Sequence, residues 1–90
     1  MSRAHVYIYG KVQGVFYRAA TRDMARILGI KGWVKNCLDG GVEGVFEGEE
    51  VTVDKMVNWC RKGPSDAHVK KVDVRWEEYA GEFGEFSIVY

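Results

Sequence analysis

Two features of this chain combine residue types and spacing that can do chemistry: the run Gly10-Lys11-Val12-Gln13-Gly14-Val15-Phe16-Tyr17-Arg18, and Asn36. The run ends a strand-like segment and opens a helix-like one. Residues placed there present backbone N–H groups that no helical carbonyl accepts, and with the positive end of the helix dipole they attract an anion. Gly14 permits a backbone conformation that a Cβ would oppose. Arg18 adds a guanidinium that stays charged at any relevant pH and can grip two oxygens at once. In the first turn of a helix that cation is electrostatically misplaced, and a bound anion would offset the misplacement. Gln13 to Arg18 therefore reads as a phosphate-binding loop; a sharp strand-to-helix turn with a surface arginine fits the same residues. Asn36 is a neutral amide, able to donate to one group and accept from another, which suits holding a water. Its alternative is an asparagine bonding locally beside the Asp39-Gly40 turn.

The elements that must position these residues follow from periodicity. From His5 to Val12 the side chains alternate, Val6, Ile8, Gly10 and Val12 against His5, Tyr7, Tyr9 and Lys11, which predicts a first strand with the aliphatic face inward. A helix is expected from about Phe16–Ala19 to Leu28, with Ala20, Met24, Ile27 and Leu28 inward and Thr21, Arg22, Asp23 and Arg26 mostly outside. Lys31 to Leu38 predicts a second strand; if Val34 faces the helices, Asn36 does too. Asp39-Gly40 is a tight-hairpin pair, and Val42 to Gly48 the return strand, its Glu43/Val45/Glu47 face expected to be largely solvated. Val53, Met56, Val57 and Cys60 form the inward stripe of a helix over Glu49–Lys62, closed by Gly63-Pro64. Strands over Val69–Trp76 and Phe86–Tyr90 complete the chain. The order β-α-β-β-α-β plus a short terminal strand predicts an α+β, ferredoxin-like split βαβ sandwich: an antiparallel sheet with both helices on one face, since right-handed crossovers put them there.

The bulk composition narrows the chemistry. The chain has 90 residues and reads as one domain, 1–90, with 47% hydrophobic and 13% aromatic residues to build its core. Thirteen basic residues balance thirteen acidic ones, so no global field draws nucleic acid or an anionic membrane, and anion binding has to be local. Tyr7 and Tyr9 resemble a stacking platform for single-stranded RNA, but the neighbouring acidic strand would repel phosphates. His5 and His68 are isolated and read as surface or strand-end histidines. Cys37 and Cys60 read as free, mostly buried thiols. There is no Walker loop, HExxH or metal-ligand cluster, and no apolar run long enough to span a bilayer. A cytoplasmic monomer without nucleic-acid or membrane partners is expected.

Gly10 to Arg18 resembles the first signature of the acylphosphatase family, G-x-V-Q-G-V-x-[FY]-R. Gly32-Trp33-Val34-Lys35-Asn36 followed by Gly40, Val42 and Gly48 matches the second at every fixed spacing. The resemblance covers essentially the whole chain. It implies hydrolysis of acyl phosphates to a carboxylate and inorganic phosphate without metal or cofactor, the phosphate being both product and competitive inhibitor. It also implies phosphoryl binding by Gln13, Gly14, Val15, Phe16, Tyr17 and Arg18, with water positioned by Asn36. Arg18 and Asn36 would be the catalytic pair. Similar domains open large hydrogenase-maturation proteins that act on carbamoyl phosphate, so an accessory module is the rival reading.

Overall fold

A computed structural model describes the whole chain, Met1–Tyr90. In chain order the elements are β1 (Ser2–Lys11), α1 (Tyr17–Ile27), β2 (Lys31–Asn36), β3 (Val42–Gly48), α2 (Glu50–Cys60), β4 (His68–Glu77) and β5 (Phe86–Ile88). One five-stranded sheet has the order β4-β1-β3-β2-β5. α1 packs on β2 and β5, and α2 packs on β1 and β3. This is the ferredoxin-like sandwich that the element order predicts. The expected faces hold for much of it. Ala4, Val6 and Ile8 of β1, Val34 of β2, Val42 and Phe46 of β3, and Val53, Met56, Val57 and Cys60 of α2 are buried in one core.

The expected antiparallel sheet holds for the first four strands, and the fifth, whose pairing the sequence leaves open, makes it mixed. β1 runs antiparallel to β3 and β4, and β2 antiparallel to β3, but β5 runs parallel to β2, with Gly32, Trp33 and Val34 opposite Phe86, Ser87 and Ile88. The reason is where β4 stops. Glu77 lies opposite Arg3, and Lys31 opposite Glu47, so β4 leaves the sheet at the end where β2 begins. The chain then crosses the sheet and enters its far edge in the same direction as β2.

The solvated face expected of β3 is overturned. Val45 is fully buried and Glu47 is 3% exposed. The crossing segment lies against Glu47, while Val45 sits in register between His5 and Trp33, whose rings stand 6.0 Å apart. Ala80 N–H donates to Glu47 Oε2 at 3.0 Å, and the Arg3 guanidinium reaches Glu47, Glu77 and Glu82 at 3.2, 3.0 and 2.8 Å. The Glu82 hydrogen bond is the largest of several contacts that raise the Arg3 pKa. His5 is not isolated either. Its ring stacks on Tyr7 and sits between Glu43, 2.5 Å from Nε2, and Glu77, 3.3 Å from Nδ1, joining β3, β1 and β4. Burial raises the Glu43 pKa, but hydrogen bonds from His5 and Tyr7 outweigh it and leave the carboxyl below its ordinary value. A partly buried carboxylate is tolerable there because charged partners satisfy it.

A second correction concerns the rotation of α1. Tyr17, Thr21 and Ala25 are its buried residues, while Ile27, expected inward, is 77% exposed. Tyr17 sets this phase. Its ring packs 5.8 Å from that of Trp59, and its hydroxyl donates to Cys60 O at 2.7 Å across to the end of α2. Thr21 follows on the same side and satisfies its hydroxyl on Tyr17 O at 2.8 Å. A threonine that bonds the carbonyl one turn back can be buried without an orphaned polar atom. Both cysteines are free, Cys60 buried and Cys37 half-buried; burial pushes the Cys60 thiol up to about 12.

Candidate active site

β1 bulges between Tyr9 and Gly10 where it meets β4, and Gly10 there has φ +133°. A Cβ on Gly10 would stand 2.1 Å from His68 O, so only glycine lets the two backbones approach and sets the direction in which the chain leaves the sheet. Gly14 follows at φ +74°, and Phe16, the residue capping α1, at φ +61°. A non-glycine residue in the left-handed region costs about 1–2 kcal/mol. Burial does not compensate, because the Phe16 ring is 81% exposed. The strain belongs to the loop's shape. The N–H groups of Gln13 to Phe16 donate to no protein acceptor. Those of Tyr17 to Ala19 precede the first hydrogen bond into the helix, Ala20 N–H to Phe16 O at 3.0 Å.

The loop is fixed from both sides. Val15 is buried in the core. The Gln13 amide donates from Nε2 to Cys37 O and Gly41 O, both at 2.8 Å, tying the loop to the β2–β3 hairpin next to Asn36. Sequence reasoning counted Gln13 only among the phosphate-binding amides; its side chain is the strut that holds Asn36 at a set distance from the loop. Tyr17 likewise has two parts. Its amide opens the helix, while its hydroxyl lies in the core, where burial raises its pKa first and the Cys60 contacts add to this. Replacing Tyr17 by Phe leaves the buried Cys60 carbonyl without that donor and is expected to cost about 1–2 kcal/mol. Denaturant unfolding measures this as a lower midpoint at unchanged slope; an unchanged midpoint would mean that the bond contributes nothing.

Gly14, Phe16, Tyr17, Arg18 and Asn36 line one cleft of about 440 Å³. The side chains of Gln13 and Val15 turn away from it, to the hairpin and to the core, and support it. Arg18 occupies the first turn of α1, which holds no acidic residue. No carboxylate lies within ion-pairing distance of it, and its Cζ stands 5.2 Å from the centroid of the Tyr90 ring. Asn36 ends β2 opposite Val42, on the helix-facing side that Val34 predicts, with its side chain exposed to the cleft. Its alternative role is already filled: Asp39 Oδ1, not Asn36, accepts from Gly41 N–H, at 2.9 Å. The amide of Asn36 makes no hydrogen bond within the chain.

Sequence reasoning missed five further residues of the wall, Val12, Ala19, Arg22, Ile88 and Tyr90. Arg22 could have been found, because it stands one helical turn beyond Arg18 on the same side. Ile88 and Tyr90 could not be placed before the partner of β5 was known. Val89 N–H donates to Val34 O at 2.8 Å, which carries the end of the chain alongside β2 and up to the cleft.

Known proteins resemble this chain over its whole length. A family model described as Acylphosphatase matches residues 4–88. A protein of Roseiflexus sp. (strain RS-1) named acylphosphatase is 58% identical over 90 residues, covering 100% of this chain and 97% of the relative. One of the same name from Pelotomaculum thermopropionicum is 53% identical over 89 residues, covering 99% and 97%. The crystal structure of acylphosphatase from Bacillus subtilis superposes with a TM-score of 0.96 over the whole of both chains at 32% identity.

Proposed function

This chain belongs to the acylphosphatase family, and from that premise we propose how its cleft hydrolyses an acyl phosphate. The enzyme's activity is that of the family, on a small-molecule acyl phosphate. The observation that carries the mechanism is convergence: unpartnered loop amides, an arginine without a carboxylate partner and an amide without a partner meet at one cleft. The N–H groups of Gln13 to Arg18 and the Arg18 guanidinium hold the phosphoryl oxygens. Asn36 holds a water in line with the bond to be broken.

The water oxygen attacks phosphorus, the bond from phosphorus to the acyl oxygen breaks, and the electron pair leaves with the carboxylate. One proton of the water passes to a phosphoryl oxygen and the other stays on the attacking oxygen, giving dihydrogen phosphate. No strong base is required, because a carboxylate is already a good leaving group. Catalysis then rests on positioning and on charge stabilisation by groups that are in place before the reaction. No phosphoenzyme forms and no metal takes part. The whole chain, 1–90, acts as one domain, a cytoplasmic monomer.

The test is steady-state hydrolysis of benzoyl phosphate. Inorganic phosphate is expected to raise KM and leave kcat unchanged, since product and substrate share the loop. A chelator is expected to leave both constants unchanged. Inhibition that lowers kcat alone would remove the loop as the phosphoryl site, and activity lost to a chelator and restored by a divalent ion would overturn the metal-free mechanism.

A further inference from the structure

Arg22 is the charged part of the cleft that the phosphoryl grip and the water do not use. α1 carries arginines at positions 18, 22 and 26, four residues apart and therefore in one row along the helix. The row runs beside the last strand, and its two ends are engaged. Arg18 faces the Tyr90 ring, while Arg26 donates from Nη2 to Phe86 O at 3.2 Å and lies 3.6 Å from Glu85. Arg22 differs. Its one carboxylate partner is its sequence neighbour Asp23, whose side chain is 64% exposed and reaches only Nε, at 3.2 Å. The two Nη groups, which can grip both oxygens of a carboxylate, have no acceptor in the chain. The cleft wall contains no Asp or Glu, and Arg22 is its one cation besides Arg18.

In-line displacement puts the attacking water and the leaving carboxylate on opposite sides of phosphorus. Ile88 and Tyr90 run alongside β2 toward Asn36, on the water's side, while Arg22 stands one turn along α1 from Arg18, so the leaving acyl group meets the α1 side of the wall, where Arg22 offers charge. We propose that Arg22 is a specificity-determining residue that selects acyl phosphates whose acyl group carries a second anionic group at its far end. This rests on the loop being the phosphoryl site. Arg22 contributes binding that is equal in ground state and transition state, so its effect falls on KM rather than kcat.

Benzoyl phosphate and 4-carboxybenzoyl phosphate test it, being rigid substrates that differ by one distal carboxylate. In the wild type kcat/KM is expected to favour the carboxylated substrate about fivefold, the size of a partly exposed charge pair, and the preference shrinks in high salt. Arg22→Gln is expected to bring the ratio to about one through KM, and Arg22→Lys to keep part of it, as retained charge should. A wild-type ratio that survives in Arg22→Gln overturns the proposal. So does an equal loss on both substrates, which would make Arg22 a phosphoryl ligand or a support of the fold. Wild-type protein that hydrolyses neither substrate would instead overturn the underlying reading of the cleft.

Discussion

Arg18→Ala is expected to lower kcat/KM for benzoyl phosphate by about 10³-fold or more, the scale of arginine contributions to phosphoryl transfer. The side chain is half-buried, pairs with no carboxylate and makes no side-chain hydrogen bond, with its Cζ 5.2 Å from the Tyr90 ring, so the native fold asks little of it. The helix dipole disfavours a cation in the first turn by about 0.3–1 kcal/mol. Truncation relieves that and gives up a cation–π contact of similar size at an exposed ring. The melting temperature is therefore expected to stay within a few degrees of the wild type, or to rise, while turnover collapses. Arg18→Lys is expected to recover only part of the loss, because an ammonium keeps the charge but not the planar fork. Thermal unfolding and steady-state kinetics on the same preparations decide it. A folded Arg18→Ala protein working at the wild-type rate would remove Arg18 from the reaction, whereas an unfolded one would show that the residue is structural.

The strand alternation of β1 and the i, i+3, i+4, i+7 stripe of α2 were legible because each segment buries one continuous aliphatic face, and burial is what periodicity records. α1 was misread by part of a turn. Thr21 counts as polar in any pattern, yet its hydroxyl is satisfied on Tyr17 O and the residue is fully buried. Ile27 counts as apolar, yet it lies outside. One buried tyrosine, bonded to a carbonyl 43 positions away, sets the rotation, and a local pattern cannot contain that contact. Glu47 was misread for a related reason: it is buried by residues 78–85 and held by Arg3, partners that lie far along the chain. At the site, the residue types of the loop and Asn36 pointed to an anion and a water. The strain at Phe16 was not legible, since phenylalanine is an improbable choice for a left-handed backbone. Nor was the strut from Gln13 to the hairpin, because an amide's acceptors are known only once strands are paired.

Asn36→Ala is expected to lower kcat for benzoyl phosphate by about 10²–10³-fold, the cost of losing one pre-positioned polar group in a transition state. KM is expected to move little, because in the proposed mechanism the phosphoryl grip belongs to the loop and Arg18, which the substitution leaves alone. That split separates the two halves of the mechanism: loss at Arg18 falls on binding and chemistry together, loss at Asn36 on chemistry. Stability offers no competing explanation. Asn36 is exposed, its amide bonds to nothing in the chain, and the hairpin beyond it is closed by Cys37 N–H to Gly41 O at 2.8 Å and by Asp39, so the change in unfolding free energy should stay within about 0.5 kcal/mol. Asn36→Asp is a sharper probe. A carboxylate accepts from a water as well as an amide does, but it donates nothing and repels a phosphoryl dianion, so kcat should fall at least as far as in Asn36→Ala and KM should rise as well. If Asn36→Asp instead retained the wild-type kcat, a general base at this position would suffice and the neutral, donating amide would not be what holds the water in line.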